Sequence, residues 1–225
     1  MPITAVVFDL YGTLLDLQTM EGPVAEAGVD DPSGFVRDWR RKQLEYATLT
    51  SLAQAYQPFD ELTVLALEQT CVQRGISLDS SQRRRFIDVF REMPAHPDTA
   101  AALRALAARG IPRAVLTNGT PASADAALTN AGVRDLLDDV LSVDAVRVFK
   151  PDPRVYALAT QRFDCAPGDI VFVSANAWDA WGAAYFGFRA AWCNRARGPA
   201  ESLLPAPEVT LGGLHELEAF LARSN

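Results

Sequence analysis

The chain of 225 residues has 49% apolar and 22% charged residues, a balance typical of a globular protein. Its length suffices for one core domain, or for a core domain that carries an insertion. The net charge of -7 argues against a nucleic-acid partner, because phosphate binding needs a basic face. No apolar run reaches membrane-spanning length and no signal-peptide pattern begins the chain, so we expect a cytoplasmic protein without a membrane partner.

The cysteines and histidines exclude two kinds of site. The three cysteines are far apart and form no C-x-x-C or Cys/His cluster, so we expect reduced thiols and no structural zinc. The two histidines, His96 and His215, lie in a proline-flanked loop and in a C-terminal amphipathic segment. A histidine-based triad is therefore not expected, and acid–base chemistry falls to carboxylates, lysine or tyrosine.

The first strand is followed by a long helical region. Residues 4–10 (TAVVFDL) form an apolar run typical of a strand buried on both faces of a parallel sheet. Residues 11–13 end it. From about residue 24 to residue 93 the periodicity is helical, with helices predicted over 34–56, 59–74 and 80–91 and no convincing strand.

After residues 94–97 the pattern changes to strand–helix alternation. Strands are predicted over 114–116, 140–143, 170–173 and 189–193, and helices over 99–109, 122–131, 153–163, 177–186 and 214–223. Short connections of this kind predict an α/β fold with a doubly wound, parallel, Rossmann-like sheet. We expect a core domain of residues 1–15 and 95–225, with a helical cap domain of residues 16–94 inserted after the first strand.

Polar residues follow the apolar strands, where open α/β sheets bind their ligands. They lie at 9–13, 117–119, Lys150 and 174–179. Asp9 ends an apolar strand, and a carboxylate there needs a cationic partner or a chemical role. Asp9 and Lys150 could form a purely structural ion pair, but ionisable groups at several strand ends of one sheet favour a site.

Four segments in these loops resemble, in order, the four motifs of the haloacid dehalogenase superfamily. They are residues 8–14 (FDLYGTL), 117–119 (TNG), 150–151 (KP) and 174–179 (SANAWD). The resemblance implies that Asp9 is a nucleophile. Phosphatases of that superfamily have a second aspartate where this chain has Tyr11, and two acidic metal ligands where it has Asn176 and Asp179. Because divalent cations need several oxygen ligands, we expect no metal and no other cofactor.

Two features resemble the metal-independent L-2-haloacid dehalogenases within that superfamily. One is Tyr11 together with residues 174–179. The other lies in the insertion, where residues 39–46 (WRRKQLEY) are similar to a W-R-x-x-Q-L-x-Y segment whose first arginine reaches over the active site. That arginine is Arg40, or Arg41 if the alignment shifts by one residue. Gln43 and Leu44 are expected to line the pocket, with a buried helix face as the simpler alternative.

The resemblance implies a reaction as well as a substrate, a short 2-haloalkanoic acid. Asp9 attacks the carbon that bears the halogen and forms an aspartyl ester with inverted configuration. Water oriented by Asp179 then releases the 2-hydroxy acid. Arg40 and Asn118 are expected to hold the halide, between apolar walls formed by Phe59 and Trp178.

The remaining expected site residues act on the nucleophile or on the substrate carboxylate. Lys150 keeps Asp9 ionised and helps hold the substrate, and the other positioning groups are Thr13, Asn176, Tyr11, Thr117 and Ser174. Phe59 could equally be cap core, and Tyr156 could be a family tyrosine or a helix-packing one. The resemblance also implies a homodimer. The alternatives are a magnesium-dependent phosphatase of a small phosphorylated metabolite and a non-enzymatic binding protein.

Overall fold

The computed structural model describes residues 3–223 and contains a six-stranded sheet in the order β3-β2-β1-β4-β5-β6. Every neighbouring pair of strands is parallel. The strands are β1 (Ala5–Phe8), β2 (Arg113–Thr117), β3 (Asp139–Ser142), β4 (Ile170–Ser174), β5 (Arg189–Cys193) and β6 (Val209–Leu211). The predicted α/β fold with a doubly wound parallel sheet is confirmed.

Strand β1 lies at the centre of the sheet, and its side chains explain why the sheet is covered on both faces. Val6 and Phe8 belong to one hydrophobic cluster and Val7 to the other, and all three are fully buried. Val7 is aligned with Ala114 of β2 and with Phe172 of β4. A strand with apolar neighbours on both faces needs a continuous apolar sequence, which is what residues 4–10 provide.

The helices are α1 (Glu21–Glu26), α2 (Pro32–Leu52), α3 (Phe59–Arg74), α4 (Ser80–Glu92), α5 (Thr99–Ala108), α6 (Pro121–Asn130), α7 (Pro153–Phe163), α8 (Ala177–Phe186) and α9 (Leu217–Ala222). Helix α2 begins earlier than predicted because the Asp31 carboxylate accepts a hydrogen bond from Gly34 N and Pro32 occupies the first turn. It also ends earlier, since Gln54 has a φ of 54°. Within residues 3–223, no helix has the length and apolar character needed to cross a membrane.

Two short elements were not predicted. Helix α1 has six residues and strand β6 has three, of which Thr210 is exposed. Neither is long enough to show a clear period of 3.6 or 2 residues. Strand β6 forms because Ala191, Trp192 and Cys193 of β5 pair with it along the whole of its length.

The two ends of the insertion meet beside β1. Leu15 forms a bridge with Ala95, Asp16 N donates to Pro94 O at 2.9 Å, and His96 N donates to Leu14 O at 2.9 Å. Helices α1 to α4 all lie between these ends in sequence. This closure supports the predicted boundaries at residues 15 and 95, although the exact division into two domains stays a prediction.

An aromatic cluster holds the inserted helices together. Trp39 of α2 contacts Phe35, Phe86 and Phe90, with ring centroids 6.4, 6.2 and 5.3 Å away. Its indole N–H also donates to the carbonyl of Thr63 in α3 at 2.9 Å. Trp39 therefore joins α2 to both α3 and α4, and it fixes the rotation of α2 about its axis.

Asp98 links the start of α5 to the C-terminal part of the chain. Its carboxylate accepts two hydrogen bonds from the Arg195 guanidinium, both at 2.8 Å, and one from Leu214 N at 2.8 Å. Burial by itself would raise the pKa of Asp98, but these donors and the nearby positive charge lower it to about 2. The ionised form of Asp98 therefore stabilises the fold.

Replacing Asp98 by asparagine tests this linkage. The folded-state pKa lies below the unfolded value, so the stabilisation is full above pH 5 and is lost as the pH falls from about 4 towards 2. We expect Asp98→Asn to lower the free energy of unfolding by about 2 kcal/mol at pH 7. The difference in this free energy between wild type and variant should become smaller below about pH 4. Urea unfolding across this pH range measures it. Asp135→Asn, at an exposed position, is the control, and equal losses in the two variants would contradict the prediction.

Candidate active site

Asp9 lies immediately after β1 and is 7% exposed. Its Oδ1 accepts a hydrogen bond from Lys150 Nζ at 2.9 Å. Its Oδ2 accepts two more, from Thr13 Oγ1 and from Asn176 Nδ2, both at 2.9 Å. The carboxylate is thus oriented by donors from three different loops, all at the carboxyl edge of the sheet.

Lys150 lies between two carboxylates. Its ammonium is 2.9 Å from Asp9 Oδ1 and 2.9 Å from Asp179 Oδ2, and its side chain is 1% exposed. Burial would lower the pKa of Lys150, but the charges of Asp179 and Asp9 outweigh it and raise the pKa. For Asp179 burial has the larger effect, so its pKa is raised although Lys150 opposes the shift. The geometry therefore joins three ionisable groups, more than the simple Asp9–Lys150 pair considered from the sequence.

Tyr156 contacts Asp179 through its hydroxyl group. Its hydroxyl donates to Asp179 Oδ1 at 2.8 Å, and its ring packs against Phe172 and Phe188 with centroids 5.7 and 5.9 Å away. The residue is fully buried, and burial raises its pKa well above the ordinary value. This position supports an action through Asp179, and the substrate contact expected from the sequence stays a prediction.

Three buried hydroxyl groups hold the loops that surround Asp9. Thr13 Oγ1 accepts a hydrogen bond from Ala175 N at 2.8 Å, which joins the loop after β1 to the loop after β4. Thr117 Oγ1 accepts one from Gly119 N at 3.0 Å, and Ser174 Oγ accepts one from Asn176 N at 3.1 Å. In the structure these hydroxyls shape turns, which is how Asn118 and Asn176 come to face the site.

A cavity of about 560 Å³ lies between α2 and the loops that follow the strands. It is lined by Arg41, Leu44, Glu45, Ala47, Thr48, Asn118, Lys150, Pro151, Trp178, Trp181 and Leu203. The sequence predicted Leu44, Asn118, Lys150 and Trp178 here but missed Trp181 and Leu203. Trp181 could have been found, because it is three residues after Trp178 on the same face of α8.

Asn118 has an orientation that is set by the backbone. Its Oδ1 accepts a hydrogen bond from Lys150 N at 3.1 Å. Its side-chain N–H groups are therefore the part that can donate to a ligand in the cavity. An anion bound in the cavity, such as a halide, would accept a hydrogen bond from these N–H groups.

Arg40 and Arg41 point in different directions. The Arg40 guanidinium lies 5.8 Å from the centroid of Phe90, and its Nη1 donates to Gln43 Oε1. Burial lowers the pKa of Arg40, and the charge of Asp9 partly offsets this, so the guanidinium is within electrostatic reach of the nucleophile position. Arg41 is 71% exposed on its side chain and pairs with Asp38 at 3.0 Å. Arg40 is therefore the arginine that lies towards Asp9, whereas Arg41 lines the cavity of about 560 Å³. The assignment of Arg40 as the arginine that acts in the site stays a prediction.

Tyr11, Phe59 and Gln43 are buried beside this arginine. Tyr11 is 6% exposed, and burial raises its pKa, so its phenol is neutral. Phe59 is 3% exposed and packs on Phe149 with centroids 5.6 Å apart, yet it also borders a small cavity of about 40 Å³ together with Tyr11. Gln43 is fully buried and contacts Arg40 and Thr63. Its contacts are with protein groups, and a substrate contact by Gln43 stays a prediction.

The residues at the carboxyl edge do not fit a divalent cation. Within residues 3–223, no three His, Cys, Asp or Glu side chains are grouped in a way that could hold a metal ion. The ammonium of Lys150 already lies between the two carboxylates, Asp9 and Asp179, that would have to supply the charge. Tyr11 and Asn176 add only neutral oxygen atoms.

The site and fold match known proteins over nearly their full length. The profile of the haloacid dehalogenase-like hydrolase family matches residues 3–187. The chain belongs to this family. It is 42% identical over 206 residues to an (S)-2-haloacid dehalogenase of Pseudomonas sp. (strain YL), covering 92% of this chain and 89% of that one. It is 39% identical over 222 residues to an (S)-2-haloacid dehalogenase of Pseudomonas putida, covering 99% and 98% of the two chains.

A solved structure of the same family carries a covalent substrate. It is the L-2-haloacid dehalogenase of Xanthobacter autotrophicus with chloropropionic acid covalently bound, 34% identical to this chain with a TM-score of 0.90. The match covers 98% of each chain. The likeness therefore extends over the inserted helices as well as the sheet.

Gly182 controls the contact between Tyr156 and Asp179. A Cβ at this position of α8 would lie 2.5 Å from the Tyr156 hydroxyl and 2.6 Å from Pro151 Cβ. We expect Gly182→Ala to push Tyr156 away from Asp179 and to lower the free energy of unfolding by about 1–3 kcal/mol. A crystal structure and urea unfolding test this. Gly168→Ala is the control, because a Cβ there meets nothing within 4 Å, and an unmoved Tyr156 in Gly182→Ala would show that the packing is looser than described.

Proposed function

We propose that the protein is an (S)-2-haloacid dehalogenase that hydrolyses short 2-haloalkanoic acids to 2-hydroxy acids with inversion of configuration. The observation that carries the proposal is Asp9, a nearly buried carboxylate that three donors orient and that no group of metal-binding side chains accompanies among residues 3–223. The covalently bound chloropropionic acid of the Xanthobacter autotrophicus relative supports the same chemistry. The chain is an enzyme of the hydrolase class that acts on carbon–halide bonds.

In the first step a carboxylate oxygen of Asp9 forms a bond to the carbon that bears the halogen. The electron pair of the carbon–halogen bond leaves with the halide, and an ester of Asp9 remains. Lys150 pairs with the Asp9 carboxylate before the attack, and Thr13 and Asn176 hold its carboxylate plane. Thr117 and Ser174 act by holding the turns around it.

The leaving halide gathers negative charge as the bond breaks. Arg40 and the Asn118 amide N–H groups stabilise it in this proposal, since Arg40 interacts electrostatically with Asp9 and Asn118 lines the cavity. Leu44 and Trp178 supply apolar walls that exclude water from the reacting carbon. Phe59 and Tyr11 border the smaller cavity beside Arg40.

In the second step water attacks the carboxyl carbon of the Asp9 ester. Asp179 accepts a proton from this water, a role suited to a carboxylate whose pKa burial has raised. Tyr156 holds Asp179 in place through its hydroxyl. The products are the 2-hydroxy acid, the halide and a proton, and Asp9 is restored.

The phosphatase alternative is not favoured. It needs a general acid where Tyr11 lies and a magnesium ion next to Asp9. The Lys150 ammonium is hydrogen-bonded to both carboxylates that would have to bind the ion. A divalent cation there would meet a buried positive charge at close range.

L-2-chloropropionate tests the proposal. We expect the wild-type protein to release chloride in excess EDTA, and Asp9→Ala to release at least about 10³-fold less because no other carboxylate occupies its place. Chloride assay measures both. Mass spectrometry after many turnovers in heavy-oxygen water should find the label in Asp9. Magnesium-dependent phosphate release without any halide release would refute the assignment.

We also propose a cytoplasmic homodimer. The cytoplasmic location is supported by the free thiols of Cys71, Cys165 and Cys193. The dimer is supported by apolar side chains on the outer faces of α2 and α3, where Leu52 is 78% and Val72 is 75% exposed. Val72 lines a groove of about 460 Å³ together with Leu49 and Leu65. A second copy of the chain would cover this apolar surface.

A charge placed on this apolar surface, at Leu52, tests the dimer. We expect Leu52→Glu to convert the dimer into a monomer at micromolar concentration, because a two-fold axis would bury two carboxylates without partners. Light scattering coupled to size-exclusion chromatography gives the mass. Tyr185→Glu, at a 66% exposed residue of α8, is the control. The proposal is wrong if the wild-type protein is itself monomeric.

A further inference from the structure

Thr63 of α3 is a buried threonine whose hydroxyl proton is already used in one hydrogen bond. Thr63 is 5% exposed, and its Oγ1 donates to the carbonyl of Phe59 one turn earlier, at 2.8 Å. A hydroxyl has one proton to donate and two lone pairs to accept with. Towards its second neighbour Thr63 can therefore act only as an acceptor.

That second neighbour is the side-chain amide of Gln43 in α2. Gln43 is fully buried, its Nε2 donates to Thr63 Oγ1, and its Oε1 accepts from Arg40 Nη1. With the amide turned over, Nε2 would face a guanidinium that only donates, and Oε1 would face a hydroxyl whose proton is already used. Two buried polar contacts would then be lost together.

We propose that Thr63 is a positioning residue for the reaction: by accepting from Gln43 it fixes the amide orientation that holds Arg40 over the active site. The inference rests on the proposed dehalogenase function, in which Arg40 stabilises the departing halide. A single chain of hydrogen bonds runs from the α3 backbone at Phe59 through Thr63 and Gln43 to Arg40. The carbonyl of Thr63 also accepts the indole N–H of Trp39, so this position is tied to α2 twice.

A comparison of two leaving groups, chloride and bromide, distinguishes this role from a merely structural one. Chloride is a poorer leaving group than bromide, so its departure depends more on Arg40. We expect Thr63→Val to lower kcat for L-2-chloropropionate by roughly tenfold and kcat for L-2-bromopropionate by only about two- to threefold, with KM little changed. Thr63→Ser, which keeps the hydroxyl, should restore both rates.

Thr70 offers a matched control on the same helix. It is fully buried, and its Oγ1 donates to the carbonyl of Ala66 at 2.7 Å, which is the same bond one helical turn back that Thr63 makes. Thr70→Val therefore removes the same atoms in the same kind of environment, away from Gln43. We expect it to leave the ratio of the chloride and bromide rates at the wild-type value.

Crystal structures of the wild type and of Thr63→Val complete the test. We expect the Arg40 guanidinium to lose its contact with Gln43 in the variant. An unmoved Arg40, or equal rate losses for the two substrates, would overturn the inference even where the wild-type protein releases halide. A wild-type protein that releases no halide would refute the proposed function instead, and the position of Arg40 in the two structures would then decide whether Thr63 orients it.

Discussion

The ammonium of Lys150 is the group on which the rest of the site depends. An isolated charge with 1% exposure would be strongly destabilising, and so would each of the two carboxylates that flank it. Together they form a cluster with one excess negative charge, and hydroxyl and amide donors from Thr13, Asn176 and Tyr156 satisfy its remaining oxygen atoms. Arg40, which the cap brings to the same region, supplies the second positive charge. The core alone therefore holds an incompletely balanced site, and the cap completes it.

The sheet order explains why these groups meet. Strands β1 and β4 are neighbours at the centre of the sheet, so the loops after them carry Asp9 and Asn176 side by side. Strand β2 is the other neighbour of β1 and brings Asn118, whose side chain accepts from the backbone of Lys150. A parallel sheet places the loops after its strands at one edge, which is why the sequence was sufficient to predict Asp9, Lys150 and Asp179 in one candidate site. The pairing of Lys150 with both carboxylates was not predicted.

Other features depend on contacts between elements that are distant in sequence. The helix over residues 153–163 was predicted correctly. The contact between Tyr156 and Asp179, however, depends on Gly182 of another helix, which leaves room for the Tyr156 hydroxyl. The choice between Arg40 and Arg41 depends on a rotation of about 100° around α2. That rotation is set by Phe86 and Phe90 of α4 packing on Trp39, which a pattern within α2 cannot reveal.

The site residues come from two parts of the chain, the loops of the sheet and the inserted helices. This division affects how the substrate preference is determined. Asp9 and the groups that hold it come from loops of the sheet, which are anchored by backbone hydrogen bonds. The inserted helices contribute the guanidinium of Arg40 and the apolar wall at Leu44, and these contact the leaving group and the substrate chain in the proposed reaction. A change in the cap can therefore alter which halide leaves, or which chain fits, while the attack by Asp9 stays the same. If Arg40 is held through Gln43 by Thr63 of α3, as we propose, even a substitution outside the cavity changes that preference.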